Sequence, residues 1–364
     1  MKILHVSTAR TWRGGEQQLA YLLEELRALG LEQWVLCARG SAMESYCRQG
    51  GWAFISIKKR FSANPLAGWK ILRECKRRSI DIVHAHDSHA HTFAWLAALM
   101  GNKTPVVVSR RVDFPIGKSL LSLAKYHHSS VKMILCVSEE IRRVLLSDYR
   151  FPERTAVVHS GIDLNKFSYA GAGILRREYA IPDSIPLIAN IAAIAPHKDY
   201  YTFVDCVDLL VRRGVRAAYF IIGGDGGEKA AIERYIRGKG LEERIHLTGH
   251  RSDIPQILRE IGLLLFTSKT EGLGTSVLDA MACGAPVVAT AAGGIPEMVK
   301  DGETGLLAPV GDAESLAAQV ERILGDEVLR ERLVAGGRRM VESFSKEAMA
   351  RGVWGWYRSL TPPL

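Results

Sequence analysis

Apolar residues recur along the chain at two spacings, one typical of strands and one typical of helices. Short β-branched runs, each followed by a polar loop, predict buried strands over residues 2–7, 82–84, 106–109, 133–137 and 156–159. Residues 16–29 place leucines at i, i+3, i+4 and i+7, which predicts a helix with one buried face. Such alternation is typical of parallel sheets covered by helices on both faces. The pattern therefore predicts a doubly wound α/β fold.

The alternation restarts after Gly161-Ile162-Asp163. A second series of predicted strands covers residues 187–191, 218–222, 245–248, 263–267 and 286–289. We therefore expect two Rossmann-like, doubly wound parallel-sheet domains, 1–165 and 166–345, facing each other across a cleft. A helix at about 346–364 carries Trp354, Trp356 and Tyr357, and we expect these aromatic side chains to pack back on the first domain.

Composition favours a protein of the reducing cytoplasm. The stretch MKILHVSTART has one lysine and a short apolar run, which is typical of a buried strand rather than of a signal peptide. No apolar run approaches the length of about 20 residues that a membrane span needs. The cysteines have no CxxC pair or ligand spacing, so we expect small buried apolar side chains at Cys37, Cys47, Cys75, Cys136, Cys206 and Cys283.

The net charge of +9 is unevenly distributed. Residues 1–170 hold 25 Lys and Arg against 14 Asp and Glu, a balance of +11, whereas the remainder holds 23 against 25, a balance of −2. Basic groups concentrate at Lys58-Lys59-Arg60, Lys76-Arg77-Arg78 and Arg142-Arg143. Such a surface attracts nucleic acid or anionic lipid, or is simply solvated. Residues 58–78 also carry Trp69 among other apolar side chains, as a shallow interfacial contact would.

Three loops that follow predicted strands could approach a ligand. Gly14-Gly15-Glu16 opens the first helix, where free N–H groups can meet an anion, although a tight strand–helix turn would look the same. The loop 223–228 holds four glycines and suits either close ligand approach or a flexible surface. Lys198 lies just past a strand, where it could reach a phosphate or pair with Asp199.

The segment 268–288, SKTEGLGTSVLDAMACGAPVV, is the most specific. A strand ends near Thr267, a glycine-containing loop follows, and a helix is predicted from about Thr275. The loop would present amides beside Glu271, with Asp279 on the helix. Carboxylates accept hydrogen bonds from hydroxyls, and amides at a helix start favour phosphate. This order of groups suits a nucleotide sugar.

The segment resembles the E-x7-E signature of retaining glycosyltransferases with the GT-B fold, most closely family 4. Further stretches agree with that family along nearly the whole chain: Gly14-Gly15-Glu16, Asp81-Ile82-Val83-His84-Ala85-His86, Val137-Ser138-Glu139, Ser160-Gly161-Ile162-Asp163, Lys198, the loop 223–228 and Gly293-Gly294-Ile295-Pro296-Glu297. The resemblance implies transfer of a sugar from a nucleoside diphosphate donor, linked to UDP, GDP or ADP, with no cofactor and no required metal.

The resemblance also implies roles for single residues. Glu271 would hold the donor sugar's hydroxyls, Lys198 would neutralise the diphosphate, and His86 would face the donor–acceptor junction. Asp279 would bind the ribose. The remaining donor-binding residues would be Gly14, Gly15, Gly224, Asp225, Arg251, Gly272, Leu273, Gly274 and Thr275, and the acceptor-side residues would be Arg110, Arg111 and Asp113.

Two positions depart from the family pattern. Asp279 stands where the family usually has Glu, one methylene longer. Ala193 stands where the family often has an Arg that helps the lysine grip the phosphates, and Arg110 and Arg111 are the candidate replacements.

The acceptor is expected to be a glycan or a lipid-linked sugar, in cell-envelope polysaccharide or lipopolysaccharide synthesis. A basic first half could dock on the cytoplasmic face of an anionic membrane. Two alternatives stay open at this stage. One is a nucleotide-sugar epimerase or phosphorylase of the same fold, because fold does not fix function. The other is a non-catalytic polyanion-binding protein, although the chain has no recognisable nucleic-acid-binding motif.

Overall fold

The computed structural model describes residues 1–59, 63–117, 119–167, 173–224 and 226–361 with their side chains. The chain divides into two compact units. The first comprises residues 1–161 together with 346–364, and the second comprises residues 162–345. The observed division therefore falls just before the boundary at 165 that the sequence suggested.

The first unit is built on a seven-stranded sheet in the order β3-β2-β1-β4-β5-β6-β7, with every pair of neighbours parallel. Its strands are β1 (Lys2–Ser7), β2 (Glu32–Ala38), β3 (Phe54–Ile57), β4 (Ile82–Ala85), β5 (Val106–Arg110), β6 (Val131–Cys136) and β7 (Thr155–Val157). Its helices are α1 (Gly14–Ala28), α2 (Ala42–Gln49), α3 (Pro65–Arg78), α4 (Ser88–Leu99), α5 (Leu120–His127), α6 (Glu139–Leu146) and α15 (Lys346–Leu360), the last of which comes from the end of the chain.

The second unit holds a six-stranded sheet in the order β10-β9-β8-β11-β12-β13, again with parallel neighbours. Its strands are β8 (Leu187–Ile191), β9 (Ala218–Ile222), β10 (Ile245–Gly249), β11 (Leu263–Phe266), β12 (Val287–Thr290) and β13 (Leu306–Ala308). Its helices are α7 (Ile174–Glu178), α8 (Tyr200–Arg212), α9 (Lys229–Gly238), α10 (Ile254–Glu260), α11 (Thr275–Cys283), α12 (Ile295–Met298), α13 (Ala313–Gly325) and α14 (Glu327–Glu342).

The predicted doubly wound α/β class with two Rossmann-like parts is confirmed. Each sheet is covered by apolar clusters, because its central strands are buried on both faces. Three strands were not among those predicted: Glu32–Ala38, Phe54–Ile57 and Leu306–Ala308. Phe54–Ile57 is an edge strand of its sheet, Glu32–Ala38 is the strand next to it, and Leu306–Ala308 is an edge strand of the other sheet. Half-polar or very short sequences are tolerated towards an edge.

Helix α15 packs against α1 and β6 of the first unit. Its Tyr357 is fully buried, whereas Trp354 and Trp356 lie at the margin of the same apolar cluster. The aromatic residues of the terminal helix therefore cover one face of the first sheet, as their spacing suggested.

All six cysteines are free, and five are buried. Within the described residues, no helix combines the length and the apolar character that crossing a membrane would require.

Candidate active site

Glu271 and Lys198 meet at the carboxyl ends of β8 and β11 in the second unit. Lys198 follows β8 in a short 3₁₀ turn, and its Nζ donates to Glu271 Oε1. The hydroxyl of Ser268 donates to the same oxygen at 2.7 Å. Only 14% of the Lys198 side chain and 9% of the Glu271 side chain are exposed, so this ion pair is largely withdrawn from water. The pairing of Lys198 with Asp199 that the sequence left open is not observed, since Asp199 pairs with Lys269 at 3.1 Å.

The turn that carries Lys198 is tied to the neighbouring strand by hydroxyl groups. The hydroxyl of Thr267 is shared between two acceptors, the carbonyl oxygens of Lys198 at 3.2 Å and Asp199 at 3.1 Å. The same Oγ1 accepts from Asn190 Nδ2 at 3.2 Å. Thr290 Oγ1 donates to the carbonyl of Ser268 at 2.6 Å. These buried contacts fix the backbone on both sides of the ion pair, which is how a site is held in place.

Glycine is required where the next strand's loop passes Glu271. A Cβ atom on Gly293 would lie 2.0 Å from the Glu271 carbonyl oxygen, and its φ of +53° is left-handed. The amide of Gly294 donates to that same carbonyl at 3.1 Å. The backbone of Glu271 is therefore packed directly against a second loop, and a side chain at 293 would displace it.

Helix α11 begins beside Glu271. Its N-cap is Gly274, at φ +89°, and no side chain caps the free amides of its first turn, which includes Thr275. Leu273 points into the core, so only its backbone is available to a ligand, and Gly272 lies beside it half-buried. This geometry suits an anion at the helix start.

Asp279 lies on α11, and its carboxyl group is mostly enclosed. Burial raises the pKa of Asp279 to about 7, against the opposing influence of Lys166. A carboxyl group with this pKa gains or loses its proton near neutral pH, so the protonation state of this predicted ribose ligand is set by its surroundings.

The glycine loop after β9 is explained by packing against protein. A Cβ atom on Gly223 would lie 2.3 Å from the carbonyl oxygen of Ala192, and one on Gly226 would lie 1.8 Å from that of Ile194. Gly224 faces the side chain of His250 at ordinary contact distance. The close approach inferred from these glycines is therefore made to the segment that follows β8. Asp225, also predicted to bind the donor, lies outside the described residues.

Arg251 is already engaged by carboxylates. Its guanidinium group donates to both oxygens of Asp253, at 2.9 and 2.7 Å, and to Glu178 at 2.7 Å. These bonds raise the pKa of Arg251 above its usual value. Any contact with a donor would have to be shared with, or exchanged for, these ion pairs.

His86 follows β4 in the first unit and lies in a group of buried histidines. His5 Nδ1 and His86 Nε2 are 3.0 Å apart, and His84 Nδ1 lies 2.5 Å from the hydroxyl of Tyr357. Burial lowers the pKa of His5 to about 4 and lowers those of His84 and His86 well below the usual value, so all three rings are neutral.

The histidine nitrogens could also be considered as metal ligands. One nitrogen from each of His5, His84 and His86 lies within 4.8 Å of the others. His84 already has Tyr357 and Ser109 as hydrogen-bond partners, and His5 has Gln33. The group is accounted for as a hydrogen-bonded network.

The predicted acceptor-side arginines have different surroundings. Arg110 is buried, donates to the Tyr126 hydroxyl at 2.8 Å and also bonds the carbonyl of Phe114. Arg111 Nη1 lies 3.4 Å from the His86 carbonyl oxygen, and burial lowers the pKa of Arg111 to about 10. Both guanidinium groups thus have partners within the first unit. Asp113 lies on the exposed loop after β5.

The first turn of α1 contains the Gly14-Gly15-Glu16 segment. Gly14 and Gly15 have open space where a Cβ would stand, so neighbouring protein does not require glycine there. Glu16 is buried, accepts from the Arg13 amide at 3.1 Å and lies in the field of Arg111. Burial raises the pKa of Glu16. The open space leaves the amides at this helix start accessible.

Two family profiles match successive parts of the chain. The profile described as "Glycosyl transferases group 1" matches residues 173–340, and "Glycosyltransferase Family 4" matches residues 12–166. The chain is 26% identical over 297 residues to N-acetyl-alpha-D-glucosaminyl L-malate synthase of Bacillus anthracis, covering 80% of this chain and 77% of that one. It is 24% identical over 353 residues to UDP-Gal:alpha-D-GlcNAc-diphosphoundecaprenol alpha-1,3-galactosyltransferase of Escherichia coli, covering 90% and 89%.

Among solved structures, Anabaena Alr3699/HepE in complex with UDP and glucose superposes with a TM-score of 0.84 at 20% identity, over 99% of this chain and 100% of that one. The two parallel-sheet units and these matches define a glycosyltransferase of the GT-B fold. Within that class, the chain belongs to glycosyltransferase family 4.

Several residues around the site were not anticipated from the sequence. His5 bonds the predicted His86, Gln33 bonds His5, and Tyr357 bonds the neighbouring His84. Ser268 bonds the predicted Glu271, and Thr267 bonds the backbone that carries Lys198. A polar residue inside an otherwise apolar strand, as His5 is in β1, was the available signal, because such a residue needs a buried partner.

Proposed function

We propose that this glycosyltransferase moves a sugar from a nucleoside diphosphate sugar to a glycan or lipid-linked acceptor, with retention of anomeric configuration. The observation that carries the proposal is the ion pair of Lys198 with Glu271 beside the uncapped start of α11. A cation, a carboxylate and free amides are the groups that a sugar attached to a diphosphate requires.

Lys198 and the amides of α11 are proposed to stabilise the leaving group. Breaking the anomeric C–O bond builds negative charge on the nucleoside diphosphate, and preorganised donors are worth most where charge develops. Without donor, Lys198 Nζ is held by Glu271. An arriving diphosphate would share the ammonium group, which would free Glu271 for the hydroxyls of the sugar.

Asp279 is proposed to accept hydrogen bonds from the ribose. Its carboxylate form provides two acceptor oxygens, one for each ribose hydroxyl, and its shorter side chain places them closer to α11 than the family's usual Glu would. A UDP-linked donor is the first choice for testing, because the E. coli relative is named for UDP-Gal and the Anabaena structure holds UDP. No metal or cofactor is proposed, which chelation before assay would test.

The acceptor is proposed to be anchored at a membrane, at its cytoplasmic face and in cell-envelope polysaccharide synthesis. Support comes from two groups of exposed apolar side chains in the first unit: Leu66 (76% exposed) and Trp69 (51%) on α3, and Phe114 (60%), Leu120 (83%) and Leu121 (69%) around the start of α5. Leu66 and Trp69 lie in a basic stretch of the sequence, since residues 58–78 hold eight Lys and Arg against one Glu. Apolar groups within basic surroundings are what an anionic bilayer binds.

The donor is identified by a thermal-shift panel of UDP-, GDP-, ADP- and CMP-sugars, because a ligand bound only by the native state raises its melting temperature. We expect one nucleotide class to stabilise the chain, and then to support transfer to membrane extracts or defined lipid-linked sugars. Two results would contradict the proposal. Turnover of the donor with no acceptor would indicate an epimerase or phosphorylase. Tight oligonucleotide binding at about 0.15 M salt, with no sugar-nucleotide binding, would indicate a polyanion-binding protein.

A further inference from the structure

A line of hydrogen bonds connects α1 to His86 through the first sheet. Gln33 of β2 donates from Nε2 to the carbonyl oxygen of Leu23 in α1, at 3.0 Å. Its Oε1 lies 3.1 Å from Nε2 of His5 in β1. His5 Nδ1 in turn lies 3.0 Å from Nε2 of His86. The side chains share one face of the sheet. Gln33 is paired with Ile3, which lies two residues before His5 and so points to the same face, and His5 is paired with His84, which lies two residues before His86.

The direction of every bond in this line follows from its first member. A carbonyl oxygen only accepts, so Gln33 must turn its NH₂ group to Leu23 and its oxygen to His5. The Nε2 of His5 must then carry the proton and donate to Gln33. A neutral imidazole has one N–H, so His5 Nδ1 is a lone pair, and the donor to it must be His86 Nε2.

The line ends at a lone pair. His86 has its proton on Nε2, so its Nδ1 is an acceptor, and this atom is buried with no hydrogen-bond partner among the described residues. The residue as a whole is only 7% exposed. A buried acceptor without a donor is unfavourable. A hydroxyl group on a bound ligand would satisfy this acceptor by donating to it. The other tautomer, with the proton on Nδ1, could not accept a hydrogen bond from a hydroxyl group.

We propose that His5 and Gln33 are positioning residues that hold His86 in the Nε2–H tautomer, so that Nδ1 accepts a hydrogen bond from a hydroxyl group of the bound acceptor. This rests on the proposed function and on the acceptor-facing role that the family resemblance implies for His86. Neither His5 nor Gln33 touches the reacting atoms in this scheme, since both act only through the ring of His86.

The neutrality of the rings supports this scheme. His5 and His86 are buried, and burial lowers the pKa of each, so neither ring acquires the second proton that would erase the distinction between donor and acceptor nitrogens. Arg111 lies near His86 and opposes its protonation further.

The test is direct observation of the tautomer by long-range ¹H–¹⁵N correlation on ¹⁵N-histidine-labelled protein without substrates. Assignment uses the loss of one ring's signals in His86→Asn. We expect wild-type His86 to be neutral with the proton on Nε2, and His5→Phe to give a mixture of tautomers. His5→Asn places an amide oxygen close to the position of His5 Nδ1, so it should restore the Nε2–H form. An Nδ1–H tautomer or a protonated ring in the wild type, or an unchanged tautomer in His5→Phe, would overturn the proposal.

Kinetics provide the second readout once a donor is known. His5→Phe should lower kcat/KM about 10- to 100-fold, the equivalent of one lost buried hydrogen bond, with His5→Asn recovering most of it. Gln33→Leu should act in the same direction and is the variant to use if His5→Phe does not fold. His128→Asn is the matched control, because within the described part of the chain that ring bonds the neighbouring Ser130 and no other residue. Equal losses in His5→Phe and His5→Asn would overturn the positioning role. Absence of any transfer in the wild type would contradict the proposed function but leave the tautomer measurement intact.

Discussion

Ser268 donates its hydroxyl proton to Glu271 Oε1 at 2.7 Å from three residues earlier in the same loop. The same oxygen also receives the ammonium group of Lys198. One carboxylate oxygen is thus held by a neutral and a charged donor at once, which aligns the carboxylate before any donor sugar arrives. Charge-assisted bonds are the stronger of the two kinds, so Lys198 should matter more than Ser268.

The first prediction concerns this pair. Lys198→Ala and Glu271→Ala should each lower kcat by about 10²- to 10³-fold, because each removes a preorganised electrostatic contact with the reacting sugar diphosphate. Ser268→Ala should have a smaller effect, about 10-fold, because the carboxylate loses only a neutral donor. Lys300→Ala is the matched control, since the exposed side chain of Lys300 donates to the carbonyl of Pro296 and to no other group among the described residues. Near wild-type turnover in both Lys198→Ala and Glu271→Ala would refute the assigned site.

The second prediction uses the glycine behind Glu271. Gly293→Ala should destabilise the second unit by about 2 kcal/mol or more, because the new Cβ collides with the Glu271 backbone at a left-handed φ. Donor binding should weaken at the same time. Gly325→Ala, at the end of α13, has open space and no positive φ, and should be neutral or slightly stabilising. Urea unfolding of both variants would measure the difference, and equal stabilities would contradict the packing described for Glu271.

The third prediction concerns pH and Asp279. Its folded-state pKa of about 7 lies above the usual value of about 3.9 for an unfolded chain. Between these two values the native state binds more protons than the unfolded state, so stability falls as pH rises from about 4 to about 7. Asp279→Asn should flatten that part of the profile. Urea unfolding at about pH 5 and about pH 7.5 would show it, and an unchanged slope in the variant would assign the pH dependence to other groups.

Donor affinity should follow the opposite trend. The carboxylate accepts from two ribose hydroxyls, whereas the protonated acid keeps fewer acceptor positions, so UDP should bind more weakly below about pH 7. Calorimetric titration of wild type and Asp279→Asn would test this. Asp279 would have no contact with the nucleotide if the two proteins lost affinity in parallel.

The fourth prediction concerns the membrane. Replacing Leu66 and Trp69 with serine, or Leu120 and Leu121 with serine, should reduce sedimentation with vesicles containing anionic phospholipid, because each double substitution removes exposed apolar area. Val328→Ser is the control, since that side chain is also 76% exposed but lies in the second unit. Binding to anionic vesicles that is unaffected by either double substitution would place the contact elsewhere. No binding to them at all would remove the membrane from the proposal.

The sequence was most informative where chemistry depends on local spacing. Glu271, the start of α11 and Lys198 follow strand ends, so their proximity in a parallel sheet could be predicted from the order of elements alone. The partner of Lys198 could not, because the competing carboxylate of Asp199 is adjacent in sequence while Glu271 is 73 residues away. Asp199 adopts a left-handed conformation and bonds Thr202 and Lys269 instead.

Glycine-rich segments were the least decisive. Gly223 and Gly226 are glycines because the segment after β8 passes them closely, whereas Gly14 and Gly15 have open space. The sequence of each loop predicts that something approaches its backbone closely. Only the structure shows whether that is another segment of the protein or space that a ligand could fill. The hydrogen bonds around the histidines could not be predicted from the sequence either. Gln33 lies on β2, a strand that the apolar pattern did not predict, and Tyr357 is far from His84 along the chain.

The position of α15 has a consequence for how the chain is made. This helix covers part of the sheet face that carries His84, and its Tyr357 bonds that histidine, yet the whole second unit separates it in sequence from the rest of the first unit. The second unit is therefore an insertion within the first, and residues 1–161 alone lack the helix that completes the cover of this face beside α1. The second unit can complete its own fold earlier than the unit that precedes it in sequence. Fragments ending at residue 161 should accordingly be poor substitutes for the intact first unit.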